Sequence, residues 1–83
     1  MANIGTYHLE TNGDYETVES LISETFVEDT TYCFQVLTGA FFVREGTQGD
    51  GFFVKAPEKF TFTQGDDDLY VKSVGHSTLN VAD

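Results

Sequence analysis

Basic residues are scarce in this chain. Four Lys and Arg stand against 14 Asp and Glu, for a formal net charge of −10, and none of the four precedes Arg44. Nucleic acids and anionic membranes are bound by clustered cations. We therefore expect no nucleic acid and no membrane as partner. The acidic surplus either favours a cationic protein surface as partner or only keeps the monomer soluble.

Cysteine is nearly absent, since Cys33 is the only one and no internal disulfide can form. It lies in the apolar run 32–37, which predicts a small buried side chain rather than a reactive thiol. The amino terminus lacks the basic start and apolar stretch of a secretory signal, and no apolar run approaches about 18 residues. We expect synthesis in a reducing cytoplasm, without secretion.

Motifs for catalysis and metal binding are missing too. His8 and His76 are far apart, neither has a zinc-ligand pattern, and no serine lies in a Gly-x-Ser-x-Gly elbow. The turn at residues 64–68 carries three carboxylates but not the spacing of an EF-hand, and Asp is a common turn residue. We expect no enzyme, no cofactor and no metal ion.

The tripeptide Phe-Phe-Val occurs twice, at positions 41–43 and 52–54, on either side of a Gly-rich turn. This pattern predicts the two legs of a hairpin. Because side chains alternate between the faces of a strand, one ring of each pair should point into the core and the other outward. The sequence does not decide which. The candidate interface residues are Phe41, Phe42, Phe52 and Phe53.

The phenylalanine rings that point outward are expected to be shielded from water by another surface. A chain of 83 residues has too little material to wrap both faces of its own sheet. We therefore predict that another protein surface covers these rings. Coverage by a local loop or by the N-terminal segment is the alternative.

Period-two alternation continues through most of residues 30–83. Thr38-Gly39 and Gly75 are predicted to end strands, and Pro57 marks either the end of the second hairpin leg or a sheet edge. The strands are linked by turns too short for crossover helices. The chain is thus predicted to be all-β, a small antiparallel β-sandwich or barrel of about six to eight short strands.

The N-terminal part is less regular. We predict that residues 1–14 form an N-terminal arm or an edge strand, and that residues 15–83 form a single β-sandwich domain. Within 15–26 the pattern is ambiguous between helix and strand, and Asp14 is placed to cap a helix. We favour a strand because the neighbouring segments are strand-like. The residues at helical spacing are Val18, Leu21, Ile22 and Phe26.

Three tyrosines raise the possibility of sugar binding. Tyr7, Tyr15 and Tyr70 lie near Asp or Asn residues, and an exposed tyrosine can stack on a saccharide. We favour the alternative that they are half-buried members of the sheet with their hydroxyls at the rim.

Several segments between residues 30 and 83 resemble small virion proteins of tailed bacteriophages. The resemblance implies a compact β-sandwich attached to the capsid or tail as a symmetric oligomer. The segments are Thr31-Tyr32-x-Phe34-Gln35-Val36, Gly51-Phe52-Phe53-Val54, Phe60-Thr61-Phe62-Thr63-Gln64-Gly65, Asp68-Leu69-Tyr70-Val71-Lys72-Ser73 and Leu79-Asn80-Val81-Ala82.

From this resemblance we expect a structural virion protein made in the host cytoplasm and located in the virion. A capsid decoration or cement protein is favoured, as a homo-oligomer with a trimer preferred. Its partners would be the major capsid protein or another virion protein. The alternative is a glycan- or receptor-binding module of a phage tail or head fibre.

Overall fold

Six antiparallel strands and one short helix form the described part of the chain. The computed structural model describes residues 3–11, 13–47 and 51–83. Strands β1, β6, β3 and β4 lie side by side in that order, while β2 pairs with β6 and β5 pairs with β3. The predicted all-β antiparallel fold is confirmed. The elements are β1 (Asn3–Leu9), β2 (Glu16–Thr17), α1 (Val18–Ile22), β3 (Thr31–Glu45), β4 (Phe52–Lys55), β5 (Lys59–Thr63) and β6 (Leu69–Ala82).

Strands β3 and β6 are long and must bend. They contain 15 and 14 residues, so a straight course would need about 45 Å at roughly 3.3 Å per residue. The molecule is only 30 Å long. The register of the hydrogen-bonded ladder between the two strands shifts between Val36 and Ala40 of β3, opposite residues 74–79 of β6. The prediction that Thr38-Gly39 and Gly75 end strands is therefore wrong, because both sites bend strands that continue.

The bend divides the sheet into two halves. In the first half, the start of β3 and the end of β6 lie between β5 and β1. In the second half, the end of β3 and the start of β6 lie between β4 and β2. Buried side chains from both halves form one cluster, including Phe34 and Leu79 from the first and Phe41 and Val71 from the second. The sheet thus folds over on itself around a shared core.

The predicted strand over residues 15–26 is wrong, because a helix occupies its centre. In α1, Val18 and Ile22 lie four residues apart and are both buried, so the helical spacing of apolar residues decides the structure. Ser23 ends the helix with a φ of +57°. The N-cap residue is Thr17 rather than Asp14, and it makes no side-chain capping bond.

Cys33 is half-buried rather than buried, so the predicted burial is wrong. It alternates with Tyr32 and Phe34, which face the core, and therefore lies on the outer side of β3.

The first strand belongs to the sheet, since β1 pairs with β6 from Asn3 to Leu9. It forms an edge.

A serine and a glycine hold the bend together. Ser77 is 1% exposed, and its hydroxyl accepts a hydrogen bond from the Ala40 amide at 3.1 Å. The hydroxyl also lies 3.1 Å from the Ala40 carbonyl and 3.2 Å from that of Val74, and donates its hydrogen to one of them. Gly39 adopts a φ of +76° directly against Ser77. The backbone groups freed by the slipped ladder are thereby satisfied inside the fold.

We expect Gly39→Ala to destabilise the fold by about 3 kcal/mol. An alanine there is strained by the positive φ and its Cβ overlaps the Ser77 hydroxyl. The control is Gly75→Ala, where φ is +65° but no atom lies within 4 Å of the new Cβ; we expect a loss of only about 1 kcal/mol there. Urea unfolding measures both, and equal losses would contradict the proposed close packing at Gly39.

We expect Ser77→Ala to lower the free energy of unfolding by about 1 to 3 kcal/mol, because the buried Ala40 amide loses its acceptor. Ser20→Ala is the matched control, since Ser20 is exposed and bonds only within the first turn of α1. Its effect should stay below about 0.5 kcal/mol. Thermal and urea unfolding of both variants provide the measurement, and a Ser77 variant as stable as the control would refute the role of the hydroxyl.

Candidate functional site

The four candidate phenylalanines lie on the predicted hairpin, whose pairing the structure confirms. Phe42 pairs with Phe53 across β3 and β4, so both rings lie on the same side of the sheet. Their centroids are 5.1 Å apart, and Phe53 is 51% exposed. Phe41 points the other way and is fully buried. In this first pair, one ring enters the core and the other faces outward, as predicted.

The second pair departs from that prediction, because neither ring is buried. Phe52 lies on the core side of β4, yet it is 53% exposed, and its ring meets that of Phe60 edge to face with 6.2 Å between the centroids. It is the first residue of a four-residue strand at the edge of the sheet, where the core is open at the margin. The two adjacent phenylalanines thus have nearly equal exposure on opposite faces of one strand.

Basic side chains join Phe42 and Phe53 on the outer side of the second half. Lys72 pairs with Phe42 across β3 and β6, and its Nζ lies 5.1 Å from the ring centroids of both Phe42 and Tyr15. Arg44 Cζ lies 4.0 Å from the Tyr15 centroid and 5.8 Å from that of Tyr70. We call this cluster the cationic aromatic face; it consists of Tyr15, Phe42, Arg44, Phe53, Lys55, Tyr70 and Lys72.

This face carries most of the positive charge of the chain. Lys55 is exposed and lies two residues beyond Phe53 on β4, hence on the same side. Three of the four Lys and Arg in the sequence are therefore gathered here, and Lys59 lies in the other half of the sheet, opposite Gln35. The outward positions of β3, β4 and β6 in this half carry no Asp or Glu. At its margin the Glu58 carboxylate accepts from the Lys55 amide at 2.9 Å. The face thus gathers most of the cations of a strongly acidic protein.

The cation–π contacts limit the movement of these cations. Contacts of this kind contribute about 0.5 to 2 kcal/mol each, depending on desolvation. Arg44 and Lys72 are partly buried against the rings, so their charged groups have a defined position before any partner arrives. A face with such fixed charges and rings loses less side-chain entropy on binding.

A shallow groove of about 540 Å³ lies on the first half of the sheet. Its one charged side chain is Lys59. The lining residues are Cys33, Phe34, Gln35, Lys59, Phe60, Thr61, Asn80 and Ala82.

The other polar candidates occupy local positions. The carboxylate turn uses Asp68 structurally, since its carbonyl accepts from the Gly46 amide at 2.8 Å and its Oδ1 accepts from Gln64. His8 bonds Thr78, while His76 contacts Glu10 on the surface. In residues 3–11, 13–47 and 51–83, no three His, Cys, Asp or Glu side chains lie close enough together to hold a metal ion.

The three tyrosines do not form one site. Tyr15 and Tyr70 flank Arg44 on the cationic aromatic face. Tyr7 lies on β1 and packs against the core cluster. All three are half-buried, which agrees with the interpretation favoured from the sequence.

Sequence reasoning missed Arg44 and Lys72 as members of the face. The doubled Phe-Phe-Val contains enough information to pair Phe42 with Phe53. Which residues of β6 lie beside Phe42 and Arg44 depends on the pairing of β3 with β6, between residues about 30 positions apart in the sequence. No local sequence pattern specifies that register.

A helix of the length and apolarity needed to span a bilayer is not found in the part of the chain that the structure describes. Comparison with protein-family models, with curated proteins and with solved structures finds no match. The resemblance to phage virion proteins therefore stays a prediction from the sequence segments alone.

Proposed function

We propose that this chain is a structural interaction protein without catalytic activity, which assembles with protein partners through the cationic aromatic face. The observation that carries the proposal is the outward Phe42–Phe53 pair, with Phe53 half exposed to solvent. Burying the exposed part of this ring removes apolar surface from water. A protein partner is the cover that this surface fits.

The composition of the face supports a protein partner. Phe, Tyr and Arg are enriched in protein interfaces and account for most residues whose truncation weakens binding strongly. Here they lie side by side on one rigid sheet. Arg44 lies between two tyrosines, with its guanidinium against their rings.

The proposed setting is the particle of a tailed bacteriophage. The resemblance of residues 30–83 supports a capsid decoration or cement protein, acting as a homo-oligomer, with a trimer favoured, on the major capsid or another virion protein. The protein is made in the host cytoplasm and resides in the virion. A reading frame next to a major capsid gene would support this setting, and one among unrelated metabolic genes would count against it.

We expect Phe53→Ser to weaken assembly by about 2 kcal/mol, roughly thirtyfold in the dissociation constant, because it removes the most exposed aromatic ring of the face. Phe52→Ser is the matched control. It has the same chemistry and nearly equal exposure on the opposite face of β4, so assembly should persist.

Sedimentation velocity over a concentration series gives the measurement, with circular dichroism to confirm folding. A wild-type protein that stays monomeric at about 1 mM and binds no capsid shell would refute the proposal. Equal effects of the two substitutions would show that the cationic aromatic face has no special role.

The second candidate is a glycan- or receptor-binding module of a fibre. It is favoured by one observation, the half-exposed Phe53 ring on the same face as Tyr15, Tyr70 and Arg44, since aromatic rings stack on saccharides. We expect the purified protein to bind no glycan on an array. Binding that Phe53→Ser abolishes and Phe52→Ser preserves would replace the first proposal with this one.

A further inference from the structure

We infer that the cationic aromatic face is covered by the acidic loop of a second copy of this chain, so that copies assemble head to tail. The loop consists of residues 24–29, between α1 and β3. This inference rests on the proposed function and names the partner of the same face.

The loop presents an apolar side chain surrounded by carboxylates. Val27 is 64% exposed, more than any other large hydrophobic residue in the part of the chain that the structure describes. Glu24, Glu28 and Asp29 flank it and are also exposed. Val27 therefore forms an apolar tip with exposed carboxylates on both sides.

The loop is held rigidly in this shape. The Val27 amide donates to the Tyr32 hydroxyl at 2.7 Å, and the Asp29 amide donates to the Gln64 carbonyl at 2.9 Å. Beside Val27, Phe26 is buried and stacks on Tyr32 with 4.3 Å between centroids. Val27 is therefore exposed by an ordered backbone, and docking it loses little conformational entropy.

The loop and the face are complementary in both charge and polarity. The loop offers three carboxylates around one apolar side chain. The face offers three cations beside the exposed Phe53 ring, and the half-exposed Val74 lies next to the face, two residues beyond Lys72 on β6. Complementary potentials favour this pairing. Two faces meeting each other would instead bring Lys55 and Lys72 of both copies together, and like charges would oppose that contact.

One copy cannot use its own loop to cover its own face. The loop is bonded to Tyr32 and Gln64, at the start of β3 and just after β5 in the first half of the sheet. The face lies on the outer side of the second half. A contact between two different surfaces is heterologous, and it closes into a ring when the rotation between copies allows. A closed ring of three copies would be the trimer favoured above.

Ionic strength alone is a poor test of this contact. Each copy carries a net charge of −10, so salt weakens the repulsion between whole copies as well as the attraction between loop and face. A charge exchange within the contact leaves the net charge of the double variant unchanged, and it therefore isolates the local pairing.

The experiment uses full-length protein and sedimentation velocity. We expect Val27→Asp to raise the dissociation constant of assembly at least tenfold, and Lys55→Glu or Glu28→Lys alone to raise it severalfold. The double variant Lys55→Glu with Glu28→Lys should recover most of the wild-type affinity, because the opposite charges again face each other across the contact. Lys59→Glu is the control, since it makes the same charge change outside the face and should have no comparable effect.

The outcomes separate this inference from the proposed function. If Phe53→Ser dissociates the oligomer while Val27→Asp does not and the double variant shows no recovery, the face is an interface but its occupant is another surface, and the inference is overturned. If the wild-type chain remains monomeric at about 1 mM, the loop does not bind the face and the inference is likewise overturned. Circular dichroism confirms that each variant is folded, and should Val27→Asp unfold, the charge exchange alone decides.

Discussion

Strands β3 and β6 stay hydrogen-bonded to each other along nearly their whole length, and the fold depends on the one place where that ladder slips. At the slip, Gly39 takes a conformation that other residues adopt only with strain, and Ser77 supplies the hydrogen-bonding groups that the ladder has lost. The sheet can then turn over on itself. Without this bend, two strands of about 45 Å would form a flat sheet with no enclosed core.

The bend also determines which surfaces of the sheet stay outside the core. Each half of the sheet directs one face into the shared core and leaves the other outside, with α1 as the one helix in the described residues available to cover an open side. The outer face of the second half carries the aromatic rings and most of the cations. Its residues come from four strands or their flanks, so the same hydrogen bonds that build the fold also fix the spacing of the face.

Much of the architecture can be read from the sequence, because alternation is a local signal. Tyr32, Phe34 and Val36 face the core as their period of two predicts, and the Phe-Phe-Val repeat forms the expected hairpin. Where prediction failed, the deciding interaction was distant. Gly75 looks like a turn until its strand is seen to pair with β3 on both sides of the bend. The choice between helix and strand for residues 18–22 is decided by the burial of Val18 and Ile22 together in the core, which the local sequence does not show.

The gathering of cations on one face makes the charge distribution of the molecule uneven. Fourteen acidic residues are distributed over a chain whose positive charges lie mostly on a single side. In the field of a charged neighbour, such a subunit rotates before contact, presenting its positive side to an acidic surface. Encounters then begin with this face forward more often than random collision would allow, while the net charge of −10 opposes the approach of any acidic surface.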